Sequence, residues 1–213
     1  MVQIRQLTLG PIQTNCYLVG CEKTFQAAVI DPAWDGKSNT AMADNDGWVI
    51  THILLTHTHF DHLGGLSELK EATNAPIYVH PEAVPMMQST TMSAAFFGVK
   101  LPPPPHPDEM LAKDQIIEVG ELKLYVLYTP GHAPGHVCFH LPEYRVVFDG
   151  DLLFQEGVGR TDLPGGNYEE MMESIKNEIL VLPDETRVFP GHGLGTNVGD
   201  EKRANPFIGE LLD

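Results

Sequence analysis

Basic residues are scarce in this chain of 213 residues: 13 Lys and Arg stand against 29 Asp and Glu, a formal net charge of −16. A nucleic-acid binder needs a basic footprint for its phosphate contacts, and no Lys/Arg cluster exists here. Anionic membrane surfaces are disfavoured on the same ground. Cysteine is scarcer still. Cys16, Cys21 and Cys138 are odd in number and form no C-x-x-C pair, which argues against a disulfide framework and suits a reducing compartment. No apolar run approaches the ~20 residues that span a bilayer, and the N-terminal MVQIRQLTLG lacks a signal peptide's apolar segment. The expectation is a cytoplasmic protein with no membrane or nucleic-acid partner. With 42% hydrophobic and 20% charged residues, the chain has enough material for one sizeable core, so residues 1–213 are expected to form a single domain.

The apolar pattern predicts strands over 2–9, 16–19, 27–30, 48–55, 77–79, 115–119, 122–128, 136–140, 145–148 and 186–189. Helical spacing marks Leu63–Thr73 and Asn167–Leu180, the second opening on a capping Asn with Glu170 three residues on. Between Pro81 and Lys113 the periodicity fails. Methionines, the pair Phe96–Phe97 and the run Pro102–Pro105 leave two readings open, a proline-stiffened surface connection or a flap over a substrate. Strands flanked by helices predict an α/β fold with two sheets sandwiched between helices.

Chemistry concentrates in Thr56-His57-Thr58-His59-Phe60-Asp61-His62, which follows directly on a predicted strand. Alternate residues at a strand end point to one side, so His57 and His59 can reach one metal ion together. Asp61 and His62, in the following turn, are free to aim at a second. His132, Asp151 and His192 also follow predicted strands, each beside a glycine that permits a tight turn. Together these supply five histidines and two carboxylates, enough for two metal ions. Imidazole and carboxylate suit Zn, with Fe or Mn also compatible. No Gly-x-Ser-x-Gly elbow offers a nucleophile.

The series His-x-His-x-Asp-His, Gly-His, Gly-Asp and Pro-Gly-His resembles the metallo-β-lactamase superfamily over about residues 31–192. Gly150-Asp151-Leu152-Leu153-Phe154, Gly159-Arg160-Thr161-Asp162 and the Pro190-Gly191-His192-Gly193 ending, with Glu201 to Phe207, are similar to its glyoxalase II-like branch, the hydroxyacylglutathione hydrolases. The resemblance implies an αββα sandwich of two mixed sheets flanked by helices. It assigns His57, His59 and His132 to a first metal, and Asp61, His62 and His192 to a second. Asp151 would bridge the two, with Asp61 and Asp151 as the catalytic carboxylates, and Asp31 would brace the site from behind. The C-terminal helical domain of glyoxalase II has no counterpart after Phe207.

The expected reaction is hydrolysis of a small anionic thioester, such as S-lactoylglutathione or a related activated acyl compound, by hydroxide bridging two divalent ions. The Gly159–Asp162 stretch is also similar to the mononuclear iron persulfide dioxygenases, but the Pro-Gly-His-Gly ending favours the hydrolase. A lactone or β-lactam hydrolase is a further alternative. Other candidate site residues are His136, as a hydrogen-bond partner of a metal ligand, Arg160, as a fork for a substrate carboxylate or equally as a loop-bracing ion pair with Asp162, Tyr168, as a substrate contact, and His80 and Phe207, as pocket lining.

Overall fold

In a computed structural model, which describes residues 1–209, the chain forms two six-stranded sheets stacked face to face. The first sheet runs in the order β1 (Val2–Leu9), β2 (Thr14–Cys21), β3 (Gln26–Ile30), β4 (Val49–Leu54), β5 (Ile77–Val79), β6 (Glu109–Met110). Its first pairings are antiparallel and those from β3 onward are parallel, so it is mixed. The second sheet contains β7 (Ile116–Val119), β8 (Leu122–Tyr128), β9 (Val137–Leu141), β10 (Val146–Gly150), β13 (Arg187–Pro190) and β14 (Thr196–Asn197). Its order is β14-β13-β10-β9-β8-β7, antiparallel except where β10 and β13 run parallel. A short hairpin, β11 (Leu153–Phe154) with β12 (Gly157–Val158), stands apart.

Period-two alternation sorts the core into layers. On β2, Tyr17, Val19 and Cys21 enter the layer between the sheets, where they meet Val119, Leu124, Phe139 and Phe148. Their neighbours Cys16 and Leu18 face outward, beneath helices α1 (Gly36–Asp46), α2 (Leu66–Thr73) and α3 (Val84–Phe96). Across the second sheet, Cys138, Val147 and Val188 lie under α4 (Tyr168–Ser174) and α5 (Val198–Ala204). The result is the expected αββα sandwich. All three cysteines are free and buried. No helix among the described residues is long and apolar enough to cross a membrane.

Three helices are absent from the sequence expectation. α1 buries only Gly36, Asn39 and Ala43, so no apolar stripe advertises it; its signals are the Asp35 side chain capping Ser38 and the left-handed Gly47 at its end. α3 lies inside the segment expected to lack pattern. Pro85 reads as a breaker but occupies the first turn, where a missing N–H costs nothing. α5 is a short helix capped by Asn197. The predicted helix 167–180 is one element in two forms, α4 followed by a π-helical turn over Ile175–Ile179.

Candidate metal centre

Four strand ends converge at one edge of the sandwich. The segment after β4 carries His57 and the extended His59, then tightens into a 3-10 turn over Phe60–His62 that presents Asp61 and His62. His132 lies in the turn between β8 and β9, Asp151 directly follows β10, and His192 follows β13. The two sheets are tied together here. Asn15 donates its backbone N–H to Gly191 O at 2.7 Å and its amide to Pro190 O at 3.0 Å, and Val137 N–H reaches Thr56 O at 2.8 Å. Glycine is required at Gly191, where an added Cβ would collide with Asp151 Oδ1 and sit 2.6 Å from the His62 ring.

The structure groups these side chains as two triads, His57–His59–His132 and Asp61–His62–His192. Within each, the candidate ligand atoms lie within 4.8 Å of one another. Asp151 stands between them: its Oδ2 is 3.7 Å from His132 Nε2 and 3.5 Å from His192 Nε2, and its Oδ1 is 3.4 Å from His62 Nε2.

The Thr56 hydroxyl gives its one proton to Asp31 Oδ2 at 2.6 Å, so toward His57 Nδ1, 3.0 Å away, it can only accept. His62 Nδ1–H donates to Asp31 Oδ2 at 3.0 Å, and His132 Nδ1–H to the Arg160 carbonyl at 2.8 Å. When Nδ1 carries the only proton, Nε2 of His57 and His62 holds a lone pair aimed into the centre, while His132 Nε2 lies 2.9 Å from His59 Nδ1. His57 Nε2, His62 Nε2 and Asp151 Oδ1 are buried there with no hydrogen-bond partner. Lone pairs and carboxylates facing one another repel unless a positive charge, a proton on His62 or a metal cation, lies among them, so the residues fit a metal pair.

Electrostatics agree. Burial, reinforced by the neighbouring imidazoles, holds His57 well below the usual imidazole range and takes His59 down to about 3, so both are neutral. Against the cost of burial, Asp151 and Asp61 raise His62 well above that range, which is the pull such carboxylates exert on any cation at Nε2. Asp61, although buried, is drawn down to about 2 by His62 and His192.

Asp31 lies behind the triads: at a left-handed φ of 50° it accepts Thr56 N–H at 2.8 Å as well as the Thr56 hydroxyl and His62. Other expectations require correction. His136 is fully buried, but it bonds Thr129 Oγ1 at 2.9 Å and packs its ring 5.3 Å from His57 instead of hydrogen-bonding a candidate ligand. Tyr168 is half exposed at the start of α4 and lines no part of the cavity. His80 stacks on Tyr128 at 4.6 Å, away from it, and Phe207 is likewise not in its wall. Arg160 does border the cavity, with its guanidinium engaged by Asp162 at 2.7 and 2.8 Å. The sequence reading overlooks Thr14, whose hydroxyl donates to Asp61 Oδ2 at 2.9 Å, and Thr56. Thr56 sits within the histidine motif, so its hydroxyl is a signal; Thr14 has none.

The cavity above the triads encloses about 770 Å³, within the usual range for small-molecule sites. His59, Asp61, His132, Asp151 and His192 form its floor, while His57 and His62 lie buried behind. One wall is α3, through Met86, Ser89, Ser93 and Phe96. From the 81–113 segment, residues of α3 and Phe97 thus form one wall of the cavity, while Pro103–Pro107 lie elsewhere.

The sequence model for the metallo-beta-lactamase superfamily matches residues 9–192. A probable metallo-hydrolase of Bacillus subtilis, YqgX, is 36% identical over 96% of both chains. Hydroxyacylglutathione hydrolase GloC of Haemophilus influenzae is 34% identical, covering 97% of this chain and 98% of its own. Among solved structures, TTHA1623 in a di-iron-bound form superposes with a TM-score of 0.88 at 43% identity, covering 95% of this chain and 99% of that one. The B3 metallo-beta-lactamase BLEG-1 gives 0.88 at 33% identity, covering 97% and 99%.

Proposed function

The chain belongs to the metallo-beta-lactamase superfamily, and from that premise we propose that it is a dinuclear metallohydrolase of the glyoxalase II-like branch, cleaving a thioester or related activated acyl compound. One observation carries the reading: His57 Nε2, His62 Nε2 and Asp151 Oδ1 converge, buried and unpartnered, between two ligand triads. His57, His59 and His132 would hold one ion, Asp61, His62 and His192 the other, with Asp151 shared. The similarity to GloC supports the branch, and the di-iron form of TTHA1623 supports two ions. Zinc is our first candidate, with iron or manganese compatible with the same donors.

Bound there, a metal pair supplies a water acidic enough to ionise near neutral pH and a Lewis acid for the developing oxyanion. The protein's part is orientation. Asp31 and the Arg160 carbonyl fix the tautomers of His62 and His132, and Thr56 fixes that of His57. Thr14 holds Asp61 in position. The cavity admits the acyl bond to this floor while α3 limits solvent on one side. Because each triad draws on both sheets, we also read the chain as one domain.

The test is metal content per chain, on protein purified without chelator, alongside thiol release from a panel of acyl thioesters that includes S-lactoylglutathione. Two metals per chain with thioester cleavage is the expected result. A single iron, with oxygen uptake on glutathione persulfide and no thioester cleaved, overturns the reading.

A further inference from the structure

The walls of the cavity differ sharply from its floor. Above the metal-facing residues, Ile12, Met86, Phe97, Phe154 and Leu163 present apolar surface, and the polar side chains of α3 toward the cavity are the two hydroxyls of Ser89 and Ser93. Among the described lining residues Arg160 is the one cationic side chain apart from the histidines, and its Nε and Nη2 donate to Asp162. An aromatic series climbs from floor to rim. Buried Phe60 stacks on Phe97 at 5.3 Å and 27°, and Phe97 meets Phe96 edge-on at 5.4 Å. At the rim, Phe96 is 86% exposed. The left-handed Gly98 ends the helix just beyond this pair.

We infer that the substrate's non-reacting part is an uncharged apolar group, of the alkyl or aryl kind, received by Phe96, Phe97 and the facing wall. This rests on the acyl-hydrolase reading above and narrows it, departing from the anionic thioester expected from sequence. A glutathione thioester carries two carboxylates and an ammonium. Burying them against these walls leaves charges without partners, which is strongly unfavourable. A methylene group entering the same space gains about threefold to fourfold in binding. Phe96 and Phe97 belong to a helix end with open solvent on one side, and an apolar ligand would cover the surface they expose.

The experiment uses the metal-loaded full chain and two matched series, acetyl, butanoyl and hexanoyl thioesters of N-acetylcysteamine and of glutathione. The expected result is that kcat/KM rises at least about tenfold from acetyl to hexanoyl on N-acetylcysteamine, and that each of these esters exceeds its glutathione counterpart. In Phe97→Ala, and in Phe96→Ala, whose exposed side chain the fold does not need, the hexanoyl ester loses about tenfold more than the acetyl ester. A flat chain-length series in the wild type overturns the inference. So does a preference for glutathione esters that Arg160→Ala abolishes, since Arg160 would then anchor a carboxylate. If a two-metal protein releases thiol from no ester of either series, the acyl-hydrolase reading itself falls, and this inference with it.

Discussion

Replacing Asp31 by asparagine exchanges one oxygen for an NH₂ and, at the Oδ2 position, disturbs two hydrogen bonds. The native carboxylate accepts three protons, from Thr56 N–H at 2.8 Å, Thr56 Oγ1 at 2.6 Å and His62 Nδ1 at 3.0 Å. Asparagine tolerates the left-handed φ of 50° and can keep an oxygen toward Thr56. With that oxygen at the Oδ1 position toward Thr56 N–H, the NH₂ takes the Oδ2 position. There it faces both the Thr56 hydroxyl, which can turn to accept, and His62 Nδ1–H, donor against donor, so the ring must move its proton to Nε2. That nitrogen is the one the second ion would use. The expected cost is about 1–3 kcal/mol of stability in the metal-free protein for the lost buried partner. Affinity of the second ion should fall roughly 10- to 100-fold. Asp31→Ala additionally orphans both Thr56 donors, about 1–3 kcal/mol each, and puts a Cβ residue without a polar side chain at positive φ, about another 1 kcal/mol. It should therefore sit close to the unfolding threshold of a typical domain. Denaturant melts of the chelated proteins give the first quantity, and metal titration against a chromogenic chelator gives the second. An Asp31→Asn variant that holds two ions at wild-type affinity would refute the tautomer argument; an unchanged midpoint for Asp31→Ala would refute the bracing role.

Asp151→Ala removes the carboxylate shared by the triads, so metal content should drop to one ion or fewer per chain, and turnover by on the order of a hundredfold or more, by elemental analysis and steady-state kinetics. Gly150→Ala sets a Cβ at φ +54°, 2.5 Å from Thr56 Oγ1 and 2.8 Å from His136 Nε2. A loss of about 2–4 kcal/mol, or roughly 4–16 °C in Tm by calorimetry, is expected. Burial holds His52 and His140 below the usual imidazole range. A folded-state value below the unfolded one gives stability that is present above pH ~6.5 and is lost as pH falls, because the unfolded chain takes the proton first. The double variant His52→Gln, His140→Gln should therefore lose less stability than wild type between pH 6.5 and 5 in denaturant melts; an unchanged slope would count against it.

The parts of the fold legible in sequence are those in which the apolar pattern and the structure share a cause. β8 is found over its full span because Leu122, Leu124 and Val126 alternate with more exposed neighbours. β2 is underestimated, since its first residues, Thr14 and Asn15, are polar yet buried to serve the opposite sheet. α1 and α3 escape because neither carries a periodic apolar face. α1 is covered by little more than Asn39 and Ala43, and α3 buries Met87, Thr90 and Ala94 while turning other apolar side chains toward the cavity. The candidate ligand set is legible because four members cluster directly after one strand and a glycine at a strand end precedes each of His132, Asp151 and His192. What sequence could not supply is orientation. It leaves Arg160 open between a substrate contact and the ion pair with Asp162, which the structure shows, and it puts Tyr168 near a substrate where the helix leaves that side chain half exposed and outside the cavity lining. His136 is misread because a glycine-histidine spacing says nothing of which hydroxyl the ring will meet; Thr129, seven residues before it, claims that bond.

Each triad takes two members from the segment after β4 and one from the far sheet, across 73 residues in the case of His59 and His132. An ion at either position is therefore a reversible cross-link between the two halves of the sandwich. Neither half owns a complete set, so the affinity exists only after the sheets have docked. Kinetic effects of metal should then be one-sided: chelation hastens the parting of the sheets and leaves the rate of their first meeting nearly unchanged. In a cell, the supply of metal would set how long a folded copy lasts more than how quickly one is made.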